Sequence, residues 1–99
     1  MLEQEEKDKI KKEIISKVNS VLEENGESFR MDVVNVLNTS EYVKFMGNYR
    51  VHDRRKYQSV NREISKFLEK YGDVNIKSKK IRDSGEKFTA VDFNFQISN

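Results

Sequence analysis

The stretch from Asp53 to Tyr71 has one face whose residue types could bind nucleic acid. Its apolar residues recur every three or four positions, which predicts one amphipathic helix. At about 100° per residue, four polar side chains fall on the opposite face, namely Arg55, Gln58, Ser59 and Arg62. Arg suits guanine and phosphate, Gln suits adenine and Ser suits either, so this set could read base edges in the DNA major groove.

Further basic residues flank this face and follow it along the chain. Arg54 and Lys66 lie in the same stretch. Five more cations follow within about ten residues: Lys77, Lys79, Lys80, Arg82 and Lys87. In a DNA-binding protein such residues would neutralise phosphates. The alternatives are a solvated helix face and a hairpin edge that lysines protect from aggregation.

The net charge of +2 conceals an uneven distribution. Residues 1–40 carry a charge of −3 and residues 41–99 carry +5, and within 50–82 the excess reaches +7. A local excess of that size can attract a polyanion. A surface that is simply rich in lysine would show the same numbers.

Length and composition predict one domain over residues 1–99, with residues 1–9 free to fray because they hold little apolar anchorage. Cysteine is absent, which excludes disulfides and thiolate sites within this sequence. The sequence holds no long apolar run, so we expect no membrane segment and no signal peptide. A cytoplasmic location is the default expectation.

Signals for catalysis are weak. His52 is the only histidine, and the four glycines are scattered rather than grouped in a phosphate-binding loop. The acidic run Glu3, Glu5, Glu6 and Asp8 is typical of a helix start rather than of a cation site. We therefore expect no enzyme activity, no catalytic residue, no metal site and no cofactor.

Periodicity and turn signals predict the order of elements. The predicted helical segments are 3–25, 29–38, a short turn over 41–46, and 53–71. The period then changes to two, and Asp83 to Glu86 is a turn signal, so 74–82 and 87–97 are predicted to pair as an antiparallel hairpin. Phe88 is out of phase with the strand that follows it, which predicts either a bulge near Thr89 or an exposed ring at the hairpin tip.

Two helices, then the long helix over 53–71 and a hairpin, follow one another as in winged helix-turn-helix domains, which this chain resembles over about residues 10–97. The segment from Tyr57 to Ile64 looks like a recognition helix, and the Lys77 to Lys87 hairpin looks like a wing. The resemblance implies an α+β, winged-helix-like fold with three main helices followed by a two-stranded antiparallel β-hairpin wing. The chain departs from that pattern between Asn38 and His52. This link between the second and third predicted helices is longer than the usual turn, and Tyr49 to Val51 is the only candidate strand in it.

The expected function is duplex DNA binding, sequence-specific or not, by a small transcription regulator or an accessory protein of a phage, virus or plasmid. The resemblance implies that the polar helix face enters the major groove and that the wing lysines hold phosphate. The alternative is a protein-interaction module that uses the acidic first helix, because fold alone does not determine function. Binding to RNA and formation of a homodimer stay open.

Overall fold

The computed structural model describes residues 2–99. Its elements are α1 (Gln4–Glu24), β1 (Asn35–Asn38), β2 (Tyr42–Val51), α2 (Tyr57–Leu68), β3 (Val74–Asp83) and β4 (Glu86–Ser98). The strands form one antiparallel sheet in the order β1-β2-β4-β3. The chain thus runs helix then hairpin, twice, and each hairpin supplies one central strand and one edge strand.

This architecture corrects the predicted winged-helix fold. The described residues contain two helices and a four-stranded sheet rather than three helices and a two-stranded wing. The predicted helix over 29–38 is extended chain that ends in β1, and the predicted helical turn over 41–46 is the first half of β2. The predicted hairpin does form, but β4 pairs with β2 along its other side, so the hairpin is part of the sheet and not a separate wing.

The spacing of apolar residues explains the error in β2. Val43, Phe45, Tyr49 and Val51 are buried and alternate with more exposed neighbours, which is the period of a strand. Gly47 interrupts that alternation in the sequence. It lies opposite Phe93 in β4, where a Cβ atom would come within 2.5 Å of the phenylalanine ring. Only glycine therefore leaves room for the ring of Phe93 over this position while the two central strands pair.

The helices cover one face of the sheet, and the core lies between the two layers. α1 contributes Ile14, Val18, Val21 and Leu22, and α2 contributes Val60, Ile64 and Leu68. The helical spacing in these two regions is confirmed, although α2 is shorter than the predicted 53–71 and has turns at both ends. Within residues 2–99, neither helix has the length and apolarity that a membrane crossing requires.

Phe88 occupies a position that neither sequence expectation describes. β3 and β4 pair without a break from Val74 to Glu86, so no bulge forms near Thr89. Strand alternation places Phe88 on the sheet face away from the helices, where it is 8% exposed. The guanidinium of Arg50 lies 4.6 Å from its ring centroid and 5.6 Å from that of Phe29. A cation–π contact therefore covers this ring.

Candidate nucleic-acid interface

The connection between β2 and α2 is held in place by a buried carboxylate. Glu27 is 5% exposed. Its Oε1 accepts a hydrogen bond from the backbone N–H of His52 at 2.7 Å, and its Oε2 accepts one from the backbone N–H of Asp53 at 3.0 Å. Burial by itself would raise the pKa of Glu27, but these bonds and the nearby His52 side chain hold that pKa below its usual value. The carboxylate is therefore ionised and orients the start of the connection.

The next residues form a tight turn that leads into α2. Lys56 donates its backbone N–H to the carbonyl of Asp53 at 3.0 Å and its Nζ to the carbonyl of Asn25 at 2.8 Å. The Oδ1 atom of Asp53 accepts from the backbone N–H of Arg55 at 3.0 Å. Asp53 thus closes the turn that precedes α2, and α2 begins after Lys56 without a side-chain cap. These bonds fix the backbone on both sides of Arg54.

Two adjoining depressions lie between this turn and the outer half of the β3–β4 hairpin. Both are lined by Arg54, Lys80 and Thr89. The larger, about 440 Å³, is also lined by Arg55, Tyr57, Gln58 and Ser78. The smaller, about 180 Å³, is also lined by Ile81, Arg82, Lys87 and Phe88. We call the two together the basic cleft.

Strand alternation explains why hairpin cations enter this cleft. Val74 and Ile76 of β3 pack against the core, so Ser78, Lys80 and Arg82 share their side of the sheet. These three residues are exposed, which shows that the helix layer does not cover this end of the hairpin. Lys87 is the cross-strand neighbour of Arg82 and lies on the same side.

Four cations of the cleft are exposed and free of carboxylate partners. In the region spanning residues 2–99, no salt bridge involves Arg54, Lys80, Arg82 or Lys87. Arg55 differs, because its guanidinium contacts the carboxylate of Asp53 at 3.2 Å and 3.3 Å. The side-chain and backbone hydrogen bonds from Arg55 lower the pKa of Asp53. The positive charge that Arg55 is predicted to offer to nucleic acid is therefore partly neutralised within the protein.

The exposed face of α2 continues from the cleft. Gln58 lines the cleft. The other predicted binding residues on this face, Ser59, Arg62 and Lys66, are exposed. The acidic residue within α2, Glu63, is turned towards α1 and lies 3.5 Å from the Nζ of Lys17. A surface without acidic residues thus extends along α2 from the cleft.

Two of the predicted binding residues lie elsewhere. Lys77 and Lys79 project from the opposite face of the sheet, across from Asp92 and Ala90 respectively. Directly opposite side chains on one sheet face are neighbours, so Asp92 offsets the charge of Lys77. The structure therefore divides the predicted hairpin cations into a group in the cleft and a pair on the far face.

His52 contacts two carboxylates from its place in the loop before α2. Its Nε2 lies 2.5 Å from Oε1 of Glu86, at the turn between β3 and β4, and its Nδ1 lies 3.2 Å from Oε1 of Glu27. Glu86 precedes Lys87, and His52 lies two residues before Arg54. His52 therefore links the loop before α2 to the turn between β3 and β4.

No family model, curated protein or solved structure matches this chain. In the part of the chain from residue 2 to residue 99, no three His, Asp or Glu side chains lie together as metal ligands would.

The sequence-based interpretation did not identify the role of Glu27. Its partners lie 25 and 26 residues away in sequence, and no local pattern indicates contacts of that range. It also missed Ser78 and Thr89, two hydroxyl residues that line the cleft. Strand parity would have placed Ser78 beside Lys80 once the facing side of β3 was known.

Proposed function

We propose that this protein binds duplex DNA through the basic cleft and the adjoining exposed face of α2. The observation that supports this proposal is the convergence of four unpaired cations, Arg54, Lys80, Arg82 and Lys87, from the connection before α2 and from both strands of the β3–β4 hairpin. Cations held together without carboxylate partners repel one another. Phosphate groups relieve that repulsion and release counterions, which drives binding.

The cleft also offers neutral hydrogen-bond donors suited to phosphate. Ser78 and Thr89 line it, and hydroxyl side chains of this kind contact phosphate oxygens in many protein–DNA interfaces. The first turn of α2 begins beside the cleft, where Tyr57 and Gln58 contribute to the lining. Backbone N–H groups at a helix start that lack a side-chain cap favour an anion, which supports the same assignment.

The exposed face of α2 is the part of this surface suited to base contacts. Gln58, Ser59 and Arg62 retain the chemistry that suggested base reading, and Lys66 extends the positive charge. Phosphate contacts in the cleft would set the register of the protein on the duplex, and these residues would supply any sequence preference. The proposal carries with it the cytoplasmic location expected from the sequence.

Two pairs of substitutions test the proposal with a matched control. Lys80→Ala/Arg82→Ala removes two cations from the cleft, whereas Lys77→Ala/Lys79→Ala removes the same charge from the far face of the same strand. Fluorescence anisotropy with a labelled random DNA duplex, titrated at low and moderate salt, measures affinity and salt slope. We expect the cleft pair to lower the slope by about 1.8, since each phosphate contact contributes about 0.9. The far-face pair should change it much less.

The contrary results are equally specific. Absence of duplex binding by the wild-type protein at low salt would overturn the proposal. Equal losses of DNA affinity for the two double variants would show that the cleft is not the binding surface. Tighter binding to a matching single strand or to duplex RNA would reassign the nucleic acid. The acidic-helix alternative has less support in the structure, because Glu13 of α1 accepts a hydrogen bond from the Tyr71 hydroxyl at 2.6 Å and so is engaged within the protein.

A further inference from the structure

β3 lies at one edge of the sheet, so its outer side has a row of backbone groups without a strand partner among residues 2–99. The two-residue turn after β3, in which Ser84 and Gly85 both have positive φ, makes Asp83 and Glu86 a hydrogen-bonded pair. Such pairs alternate along an antiparallel ladder, so the backbone groups of every second residue face away from β4. In the half of β3 next to the turn, these residues are Ser78, Lys80 and Arg82.

These outward backbone groups are open to a partner. Each residue from Lys77 to Lys80 is exposed, and so is Arg82. No turn or loop in the described part of the chain supplies a backbone hydrogen bond to them. The opposite edge differs, because β1 has four residues and Val34, just before it, is 1% exposed. β3 therefore presents the longer and more accessible edge.

Positive charge flanks the β3 edge on both faces of the sheet. Strand alternation places Lys80 and Arg82 on the side of the helices, whereas Lys77 and Lys79 project on the opposite side. In the described part of the chain, none of these four cations takes part in a salt bridge. The acid of β3, Asp83, is its last residue. A strand added along this edge would therefore meet cations on both of its own faces.

This charge selects the kind of strand that can pair with the edge. A second copy of β3 would bring two rows of four cations together, and like charges on neighbouring strands destabilise pairing. An uncharged strand would leave the cations without partners. A strand rich in Asp and Glu forms opposite-charge pairs on both faces, so the cations that disfavour other strands favour this one.

We propose that the outer edge of β3 binds an extended acidic segment of another protein, which adds antiparallel to residues 78–82 as a fifth strand of the sheet. Addition of a strand to an open sheet edge is an established mode of peptide recognition. The backbone of the segment completes the hydrogen bonds of Ser78, Lys80 and Arg82. Its carboxylates lie beside the cations, since neighbouring strands are about 4.8 Å apart. The inference does not rest on the proposed DNA binding, because it requires the β3 backbone and the far-face residue Lys79.

A capped peptide of the sequence Glu-Val-Glu-Glu-Thr-Glu is the probe for this site. In the proposed register its first, third and fifth residues lie across from Arg82, Lys80 and Ser78. Fluorescence anisotropy of the labelled peptide, measured at low salt and without DNA, should show saturable binding that added salt weakens. The same peptide with glutamine in place of every glutamate should bind at least about 10-fold more weakly.

Methylation of the peptide backbone separates strand addition from simple charge attraction, because it removes N–H donors and leaves the charge unchanged. N-methyl groups on the third and fifth residues point towards β3 and should abolish binding. N-methyl groups on the second and fourth residues point away from β3 and should leave most of the affinity. Both peptides are measured with the wild-type protein, so the comparison does not depend on the folding of a variant.

Variants of β3 test the same site from the side of the protein. Ser78→Pro removes an outward N–H without changing the charge, and edge strands tolerate proline where the N–H faces solvent. It should bind the acidic peptide at least about 10-fold more weakly than Ser78→Ala, the matched control. Lys77→Ala/Lys79→Ala should also weaken peptide binding, although the same pair should change the salt slope of DNA binding little. Circular dichroism establishes that each variant retains the fold.

The contrary outcomes are distinct from those of the DNA measurements. Absence of peptide binding at low salt up to about 1 mM, where even weak complexes form, would exclude the proposal. Equal binding of the two methylated peptides would show that charge alone attracts the peptide. Equal affinities of Ser78→Pro and Ser78→Ala would exclude the β3 edge, and undiminished binding of the glutamine peptide would exclude an acidic partner. Each of these results can occur whether or not the protein binds duplex DNA.

Discussion

The carboxylate of Glu27 accepts a hydrogen bond from the backbone N–H of His52, 25 residues further along the chain. With the bond from Asp53, this contact ties the loop after α1 to the start of the connection that carries Arg54. A buried acid thus contributes to the fold and, through the position of Arg54, to the cleft.

Glu27→Gln should lower the free energy of unfolding by about 2–3 kcal/mol, the usual effect of losing a buried hydrogen bond to a charged group. A glutamine amide presents one acceptor oxygen and one NH₂ group, so one of the backbone N–H groups of His52 and Asp53 would lose its acceptor. Urea denaturation followed by circular dichroism measures the loss. Glu23→Gln, an exposed position on α1, is the control and should change stability by less than about 0.5 kcal/mol.

The same residue predicts part of the acid sensitivity of the fold. The pKa of Glu27 is lower in the folded protein than its ordinary value of 4.5. In acid the unfolded chain therefore takes up a proton at this site before the folded protein does. The stabilisation is present above about pH 4.5 and is lost as the pH falls through the lower folded-state value. Stability of the wild-type protein should decline more steeply between about pH 5 and 3 than that of Glu27→Gln; parallel curves would contradict this.

Asp53→Asn should strengthen DNA binding. The asparagine oxygen can still accept from the backbone N–H of Arg55, so the turn before α2 persists, while the charge that neutralises the Arg55 guanidinium is removed. Anisotropy should show tighter binding at low salt and a salt slope that is steeper by up to about 0.9. Unchanged affinity with an intact fold would show that Arg55 does not contact DNA, and Asp73→Asn, another exposed acid outside the cleft, is the matched control.

Arg62→Ala and Lys66→Ala should affect DNA binding in different ways. If Arg62 contacts a base edge, its loss should relax preference at one position of a selected site by about 1–3 kcal/mol. Lys66 has the chemistry of a phosphate contact, so its loss should weaken binding to all sequences about equally. Selection from a random duplex library followed by affinity measurements separates the two. An unchanged site preference for Arg62→Ala would restrict the interaction to phosphates.

Gly47→Ala should destabilise the pairing of the central strands. The added Cβ would lie 2.5 Å from the ring of Phe93 and 2.9 Å from the terminal methyl of Met31. Overpacking of this kind costs about 1–3 kcal/mol. Phe93→Leu reduces the clash, so in a double-mutant cycle the alanine should cost less in that background. Equal costs in both backgrounds would show that the strain does not come from the ring.

Local periodicity predicts an element correctly where one period continues over a long segment. Ile14 and Val18 lie in a regular helical stripe, and Val91, Phe93 and Phe95 alternate cleanly, so α1 and the β3–β4 hairpin were predicted near their observed positions. Short apolar runs of about ten residues fit either period, and this ambiguity explains the incorrect prediction of a helix over 29–38 and of a helical turn over 41–46. This region forms strands because β2 pairs with β4 along its length, and a pairing between distant segments cannot be recognised from the local sequence.

For the candidate site, the sequence by itself determined which residue types were available and that positive charge was concentrated between residues 50 and 87. Only the tertiary structure decided which of these residues meet. Lys79 and Lys80 are adjacent in sequence and lie on opposite faces of the sheet, whereas Arg54 and Lys80 are 26 residues apart and line the same cleft. The physical reason is that a strand alternates its side chains between two faces, and tertiary packing decides which face receives the helices.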